Sequence, residues 1–218
     1  MRALGTIGPS NLRWMLPLGF CVMTVLPWLL LTSAGRRQIG LKLPGNSTSY
    51  LTGLVVGMLA ATICLAIGLI LFGNSPDNWF VSIANSYRRV MDTSGFGIVK
   101  LHLMFTIPAC IFSPVGEEIF FRGFLQRALE VRFSNRQSTH MEAALFGLVH
   151  LCHHGLVASS LGLSLRVGSG AIWVVLMFCT AWMFAWLRKS SDSLLPAVVS
   201  HAAFNATMNV GIFAILWG

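Results

Sequence analysis

The chain has 218 residues, of which 55% are hydrophobic and only 10% are charged. Soluble domains carry about 25% charged residues, so this composition excludes a soluble globular domain, a disordered chain and a secreted disulfide scaffold. The 15 Lys and Arg residues against 7 Asp and Glu residues give a formal net charge of +8. Such a composition is typical of an integral membrane protein, in which each acidic residue needs an explanation.

Six apolar runs are candidates for membrane-spanning helices, because crossing a hydrocarbon core of about 30 Å takes about 20 residues. Residues 117–129 either extend the third run or form a further helix. We therefore predict an all-α fold, a polytopic membrane helix bundle of about 6–8 transmembrane helices, as a single domain over residues 1–218. The runs lie near 14–33, 50–72, 98–115, 141–157, 171–187 and 194–217.

The first run follows Arg2 and Arg13 and could be mistaken for a signal peptide. It is longer than the apolar core of a signal peptide, and further runs follow it, so we expect a retained helix. The polar segment 73–97 begins with turn and cap residues. Its pattern predicts an amphipathic helix lying in the membrane interface.

Basic residues lie beside the apolar runs, where the positive-inside rule operates, so a nucleic-acid partner is not expected. With six crossings, eight of these residues fall on one side of the membrane and five on the other. This bias predicts cytoplasmic loops after the first, third and fifth runs. The eight are Arg36, Arg37, Lys42, Arg127, Arg132, Arg136, Arg188 and Lys189, and the five are Arg2, Arg13, Arg88, Arg89 and Arg166.

Glu117 and Glu118 begin the sequence Glu-Glu-Ile-Phe-Phe-Arg, which ends at Arg122. An acid four residues before a base on a helix predicts a Glu118–Arg122 ion pair. Glu117 then points about 100° around the helix, where a carboxylate in apolar surroundings suits a general base. The alternative is a helix end at the interface with two solvated acids and an arginine that reaches water.

Histidines form the second group, in which Phe146-Gly-Leu-Val-His150 is followed by His153 and His154. A single histidine at the end of a span is usually structural, but three within five residues favour a functional site. On a continuing helix His150 and His154 would share one face.

The third group, His201-Ala-Ala-Phe-Asn205, lies inside the last run. A helix presents this imidazole and this carboxamide side by side. Alone, such a pair is explained by a polar contact between helices.

Together the three groups fit general-base hydrolysis. A carboxylate and an imidazole can hold and deprotonate one water molecule, while a second imidazole and a carboxamide can stabilise an oxyanion. No serine stands in a Gly-x-Ser-x-Gly turn. Cys152 is two residues after His150 and would point elsewhere on a helix, so a thiol nucleophile is not expected.

The EExxxR motif at 117–122, the FxxxH motif at 146–150 and the HxxxN motif at 201–205 occur in this order. They resemble the CAAX protease and bacteriocin-processing family, the type II CAAX prenyl endopeptidases among the glutamic intramembrane proteases, also called Abi proteins. The resemblance covers about residues 115–207. It implies an intramembrane endopeptidase acting on a membrane-associated protein or peptide: a CAAX-type C-terminal tripeptide, a leader or a C-terminal sorting signal.

The resemblance also implies roles for six residues. Glu117 and His150 would activate the water. His201 and Asn205 would form the oxyanion hole, and Glu118 with Arg122 would support the site through a salt bridge. No cofactor is implied, and the compact length suggests the cell membrane of a bacterium.

A zinc-dependent protease is the nearest alternative. The sequence His-Glu-x-x-His is absent, but Glu117, His150, His154 and His201 could supply ligands. A di-iron oxidase would need more than the six histidines of this chain.

A non-enzymatic transporter or immunity-type membrane protein is the other alternative, since intramembrane Glu and His also relay protons. We see no inverted repeat or broken-helix pair in the sequence to support transport. The carboxamide of Asn205 separates the two interpretations, because a proton relay has no need of it.

Overall fold

The computed structural model describes residues 10–159 and 162–217, so Arg2 of the charge argument lies outside the described residues. Helices dominate this part of the chain, joined by one short hairpin. The helices are α1 (Met15–Leu30), α2 (Ser33–Gln38), α3 (Thr48–Phe72), α4 (Trp79–Val90), α5 (Ile98–Glu118), α6 (Gln126–Glu130), α7 (Asn135–Val149), α8 (Val167–Ser191) and α9 (Leu195–Gly211). Short 3₁₀ turns lie at Ser10–Leu12 and His150–Cys152, and π-helical segments at Ile119–Leu125 and Ile212–Leu216.

The predicted all-α membrane bundle is confirmed. Among the described residues four helical stretches are long and apolar enough to cross a membrane, and α1 is a shorter apolar helix of 16 residues. This number is somewhat below the predicted 6–8 and compatible with it. The four stretches are Thr48–Phe72, Ile98–Glu130, Val167–Ser191 and Leu195–Leu216.

The fourth predicted run, 141–157, has a different structure. Helix α7 begins earlier, because the side chains of Ser134 and Gln137 form a capping box at its start. It ends at Val149 after 15 residues. The chain then turns through Gly155, whose φ of 114° is left-handed. Strands β1 (Leu156–Ser159) and β2 (Gly162–Leu165) follow as an antiparallel hairpin that the sequence pattern did not predict.

Helix α9 packs along α3, α5 and α8. Its approach to α3 is close, because a Cβ on Gly53 would lie 2.4 Å from the Pro196 carbonyl oxygen and one on Gly57 2.0 Å from that of Ser200. Glycines four residues apart permit such backbone contact between membrane helices. This contact places the residue after Ser200, which is His201.

Helix α5 continues without a break through Ile119–Leu125 into α6, as one of the two predicted alternatives. The intervening segment is π-helical. Such wider turns are found often at functional sites, and this one follows directly after Glu117 and Glu118.

The predicted helix within 73–97 is present as α4. Asn78 caps it, accepting a hydrogen bond from the Phe80 amide at 3.0 Å. Trp79 and Phe80 are fully buried against the bundle, whereas the last turn is exposed. The helix is therefore amphipathic, with its apolar face on the protein.

One end of the bundle, which we call the basic end, gathers the loops predicted to be cytoplasmic. Lys42 pairs with Asp192, and Arg188 Nη2 donates to the Gln38 carbonyl at 3.3 Å. Lys189 bonds to the start of α7. The loops after α1, α6 and α8 therefore meet at this end.

The opposite end carries the second group of arginines. Arg166 pairs with Asp77 at 2.5 Å, and Arg13 donates to the Arg89 carbonyl. Arg88 stacks on Trp217, with its Cζ 4.5 Å from the ring centroid. The two groups of basic residues predicted from six crossings therefore lie, as far as the described residues show, at opposite ends of the bundle. Which end faces the cytoplasm stays a prediction.

Candidate active site

Glu117 and Glu118 lie at the end of α5 and are both fully buried. The predicted ion pair is present, with Arg122 Nη1 donating to Glu118 Oε1 at 3.2 Å. Glu117 accepts a different hydrogen bond, from the Ser113 hydroxyl to Oε1 at 2.9 Å. The two adjacent acids thus have different partners, and neither is a solvated acid at a helix end.

Arg122 has a second acidic partner that the motif did not indicate. Its Nε lies 3.6 Å from Oε1 of Glu142, a fully buried residue of α7. Glu142 lies inside the apolar run 141–157, and only seven acids occur in the chain. Its position in that run is therefore the one sequence signal that could have marked it as a functional residue. Sequence spacing could not pair Glu142 with Arg122, because the two residues lie on different helices.

Two phenylalanines separate Arg122 from the imidazoles of the site. The Arg122 Cζ atom lies 4.2 Å from the centroid of the Phe146 ring and 5.3 Å from that of Phe184. The Phe146 ring lies 4.3 Å from the His150 ring and 6.1 Å from the His201 ring. These aromatic faces shield a buried guanidinium and support it through cation–π contacts.

His201 is joined directly to the acidic motif. Its Nδ1 lies 2.8 Å from Glu118 Oε1, the oxygen that also accepts from Arg122. Glu118 therefore links the first and the third motifs. This contact was not predicted, because nothing in either motif alone orients one helix towards the other.

Asn205 lies one turn after His201 on α9. Its Nδ2 donates to the Ala109 carbonyl of α5 at 2.8 Å. That bond uses one of the two hydrogens of the amide nitrogen and fixes the orientation of the carboxamide.

His150 forms the 3₁₀ turn after α7. Its Nδ1 lies 2.7 Å from the Phe146 carbonyl, which can only accept, so we assign the Nδ1 proton. In the neutral ring Nε2 is then the basic nitrogen. Trp173 also fixes this turn, since its Nε1 donates to the His150 carbonyl at 3.2 Å.

The other two histidines of this stretch differ from each other. Helix α7 ends at Val149 and a 3₁₀ turn follows, in which the His154 amide still donates to the His150 carbonyl at 3.3 Å. Of these two residues only His150 is among the described residues that line the cavity described next. His154 is buried between the hydroxyls of Ser82, 2.8 Å from Nδ1, and Ser169, 2.9 Å from Nε2. Burial lowers its pKa to about 4, so the ring is neutral at pH 7 and ties α4 to α8. His153 instead lines the cavity described next.

A cavity of about 320 Å³ opens between α1, α4, α5, α8 and α9. His150, His201 and Asn205 line it together with Ser113, and most of its other walls are apolar. Glu117 reaches this wall through its hydrogen bond with Ser113. Residues of the second and third motifs thus line one cavity within the membrane-type bundle, and Glu117 of the first motif is hydrogen-bonded to a residue of its wall.

Among residues 10–159 and 162–217, no three His, Cys, Asp or Glu side chains form a group that could hold a metal ion. His154, one of the possible zinc ligands, is engaged by Ser82 and Ser169. Whether activity requires zinc stays a prediction, which chelation of the purified protein tests.

Fold and site together define an integral membrane helix bundle with a buried acid–imidazole centre beside an apolar cavity. The model of the Rce1-like type II CAAX prenyl endopeptidase family matches residues 99–207, half of the chain, and this range includes the three motifs. The chain belongs to this family of membrane proteases. Comparison with curated proteins and with solved structures gave no match.

Proposed function

We propose that the protein is a glutamic-type intramembrane endopeptidase, in which Glu117 and His150 activate a water molecule. The observation that carries the proposal is that the second and third motifs line one cavity, while Glu117 of the first motif is hydrogen-bonded to Ser113 of the cavity wall. Membership of a CAAX protease family supports peptide hydrolysis as the reaction. The two acids have different hydrogen-bond partners. This difference supports different roles, in which Glu118 links the elements of the site and Glu117 acts on the water.

The water is held between a carboxylate and an imidazole. The tautomer of His150 supports this role, because its Nδ1–H is held by the Phe146 carbonyl and Nε2 can accept a proton. The Ser113 hydroxyl orients the Glu117 carboxylate. The deprotonated water attacks the substrate carbonyl, and the proton taken up is later given to the leaving amine.

Asn205 and His201 stabilise the oxyanion that the attack creates. Asn205 uses the amide hydrogen that is not bonded to Ala109. His201, whose Nδ1 faces Glu118, donates to the oxyanion from Nε2 in its doubly protonated form.

The residues that line the cavity suit a substrate segment that is apolar and ends in a carboxylate. Arg13 and Arg89 line it, and none of its described lining residues is acidic. Arginine binds carboxylates through paired N–H donors. Among the substrates that the family suggests, this favours a C-terminal tail over an internal leader site.

Mass spectrometry of membrane-peptide termini, with and without active protein, identifies the substrate. A peptide spanning the identified site is then compared as the free acid and as the C-terminal amide. We expect kcat/KM to fall at least tenfold on amidation, because a charge-assisted hydrogen bond is worth about 1.5–3 kcal/mol.

Arg89→Gln should lower kcat/KM for the free-acid peptide and leave kcat/KM for the amide peptide unchanged, so that the variant no longer distinguishes the two. Arg88→Gln is the matched control, since Arg88 is the neighbouring residue but stacks on Trp217 and is not among the described residues of the cavity wall. Equal cleavage of acid and amide by the wild-type protein would contradict the preference for a C-terminal tail. Absence of any new terminus would contradict the endopeptidase itself.

A further inference from the structure

A second cavity lies outside the proposed active site, at the basic end of the bundle. It has a volume of about 650 Å³ and runs between the start of α7 and the second half of α8. We call it the interfacial groove. None of the catalytic candidates lines it.

The charged part of the groove is cationic. Arg136 and Lys189 line it, and none of its described lining residues is acidic. The two acids whose charge acts on Lys189, Glu130 and Glu142, are each paired with an arginine elsewhere. The groove therefore presents positive charge that its own walls do not neutralise.

Lys189 is held in place within the groove. Its Nζ donates to the Asn135 carbonyl at 3.3 Å and to the side-chain oxygens of Asn135 and Thr139. These bonds fix the position of the ammonium charge. Arg136, one residue after Asn135, is exposed and lines the same groove.

The remaining wall is aromatic and open to the outside. Trp182 and Trp186 of α8 are 45% and 47% exposed, and Phe178 continues the wall towards the middle of the helix. Tryptophan is enriched where a membrane protein meets the headgroup region. From Lys189 to Phe178 the helix rises about 16 Å at about 1.5 Å per residue, so the groove runs from a charged end into apolar depth.

We propose that the interfacial groove binds an anionic phospholipid. Arg136 contacts the phosphate of the headgroup, Lys189 adds its fixed charge, and an acyl chain lies along Trp186, Trp182 and Phe178. The positive charge alone would suit any phosphate. An aromatic wall continues from the charged end of the groove. It favours a lipid over a free ion, because only a lipid has both a phosphate for the charged end and an acyl chain for the aromatic wall.

The test uses the full-length protein, purified in detergent and stripped of lipid. Native mass spectrometry measures binding of phosphatidylglycerol and of phosphatidylcholine, and thermal unfolding is followed with either lipid or with inorganic phosphate. We expect phosphatidylglycerol to bind at least fivefold more tightly than phosphatidylcholine and to raise Tm. Inorganic phosphate at the same concentration should leave Tm unchanged.

Two variants locate the site. Arg136→Gln should weaken phosphatidylglycerol binding about fivefold, the change that one basic residue near a charged lipid surface corresponds to. Arg132→Gln is the matched control, because Arg132 is also exposed and basic but is not among the described residues that line the groove. Trp182→Ala should weaken lipid binding as well, through loss of the acyl contact.

Three results would overturn the proposal. Equal losses in Arg136→Gln and Arg132→Gln would show that total charge, and not the groove, attracts the lipid. A Tm increase with inorganic phosphate equal to that with phosphatidylglycerol would indicate an anion site without a lipid. Equal binding of the two lipids would remove the charge selection altogether.

Discussion

Phe146 contacts three ionisable side chains of the proposed site: Arg122, His150 and His201. Its carbonyl also accepts the Nδ1 proton that we assign to His150. One residue therefore orients the proposed catalytic imidazole through its backbone and covers a buried guanidinium with its ring. Any residue could supply the carbonyl, so the ring contacts give the physical reason for a phenylalanine four residues before the histidine.

Glu142 is the residue-scale test of the buried ion cluster. Glu142→Ala removes a fully buried side chain and the acidic partner of Arg122 Nε, and a buried polar group left without its partner costs about 1–3 kcal/mol of unfolding free energy. Thermal or denaturant unfolding in detergent measures the loss. Glu130→Ala is the control: Glu130 pairs with the half-exposed Arg127, and exposed pairs contribute about 0–1 kcal/mol. Similar losses in the two variants would contradict the account of the cluster.

Asn205 tests the proposed oxyanion hole. Because one donor to an oxyanion contributes a factor of about 10²–10³ to kcat, Asn205→Ala should lower kcat by that factor and change KM little. Steady-state cleavage of the identified peptide measures both. Asn209→Ala, one turn further on, removes a buried acceptor of the Tyr87 hydroxyl and should cost less than tenfold per folded molecule. A wild-type kcat in Asn205→Ala would return Asn205 to a packing role, tied to Ala109.

At the scale of elements, the contact of α3 with α9 positions the third motif. Gly57→Ala puts a methyl group 2.0 Å from the Ser200 carbonyl oxygen, so the helices must separate. Overpacking of this kind costs about 1–3 kcal/mol, and displacement of His201 should lower kcat as well. Unfolding and cleavage are measured for this variant and for a control variant, Gly168→Ala of α8. The methyl group added at Gly168 meets nothing within 4 Å. Equal behaviour of both variants would mean that the close approach does not position the site.

The apolar runs and the i,i+4 spacings were readable from the sequence because both are local. The Glu118–Arg122 pair and four long spans followed from them. The pairing of Glu142 with Arg122 and of His201 with Glu118 depends on contacts between helices, which spacing within one helix does not report. The apolar pattern does not report the end of α7, because residues 151–157 are apolar enough for a span, whereas Gly155 turns the chain into a hairpin.

At the scale of the whole molecule, the two proposals assign different roles to the two ends of the bundle. The basic end gathers the cationic loops and the interfacial groove, while Arg13 and Arg89 line the proposed active-site cavity near the opposite end. On this account lipid and substrate are bound at separate places in one bundle. Binding of a lipid at the groove therefore does not require the peptidase mechanism to be correct.

The central claim is that Glu117 activates the water, and its most direct test is a single-turnover rate. A general base contributes a factor of about 10²–10⁴, so Glu117→Gln should lower the rate constant for cleavage of the identified peptide at least a hundredfold. Glu130→Gln serves as the matched control and should keep the wild-type rate. A Glu117→Gln protein that cleaves the peptide as fast as wild type would contradict the account.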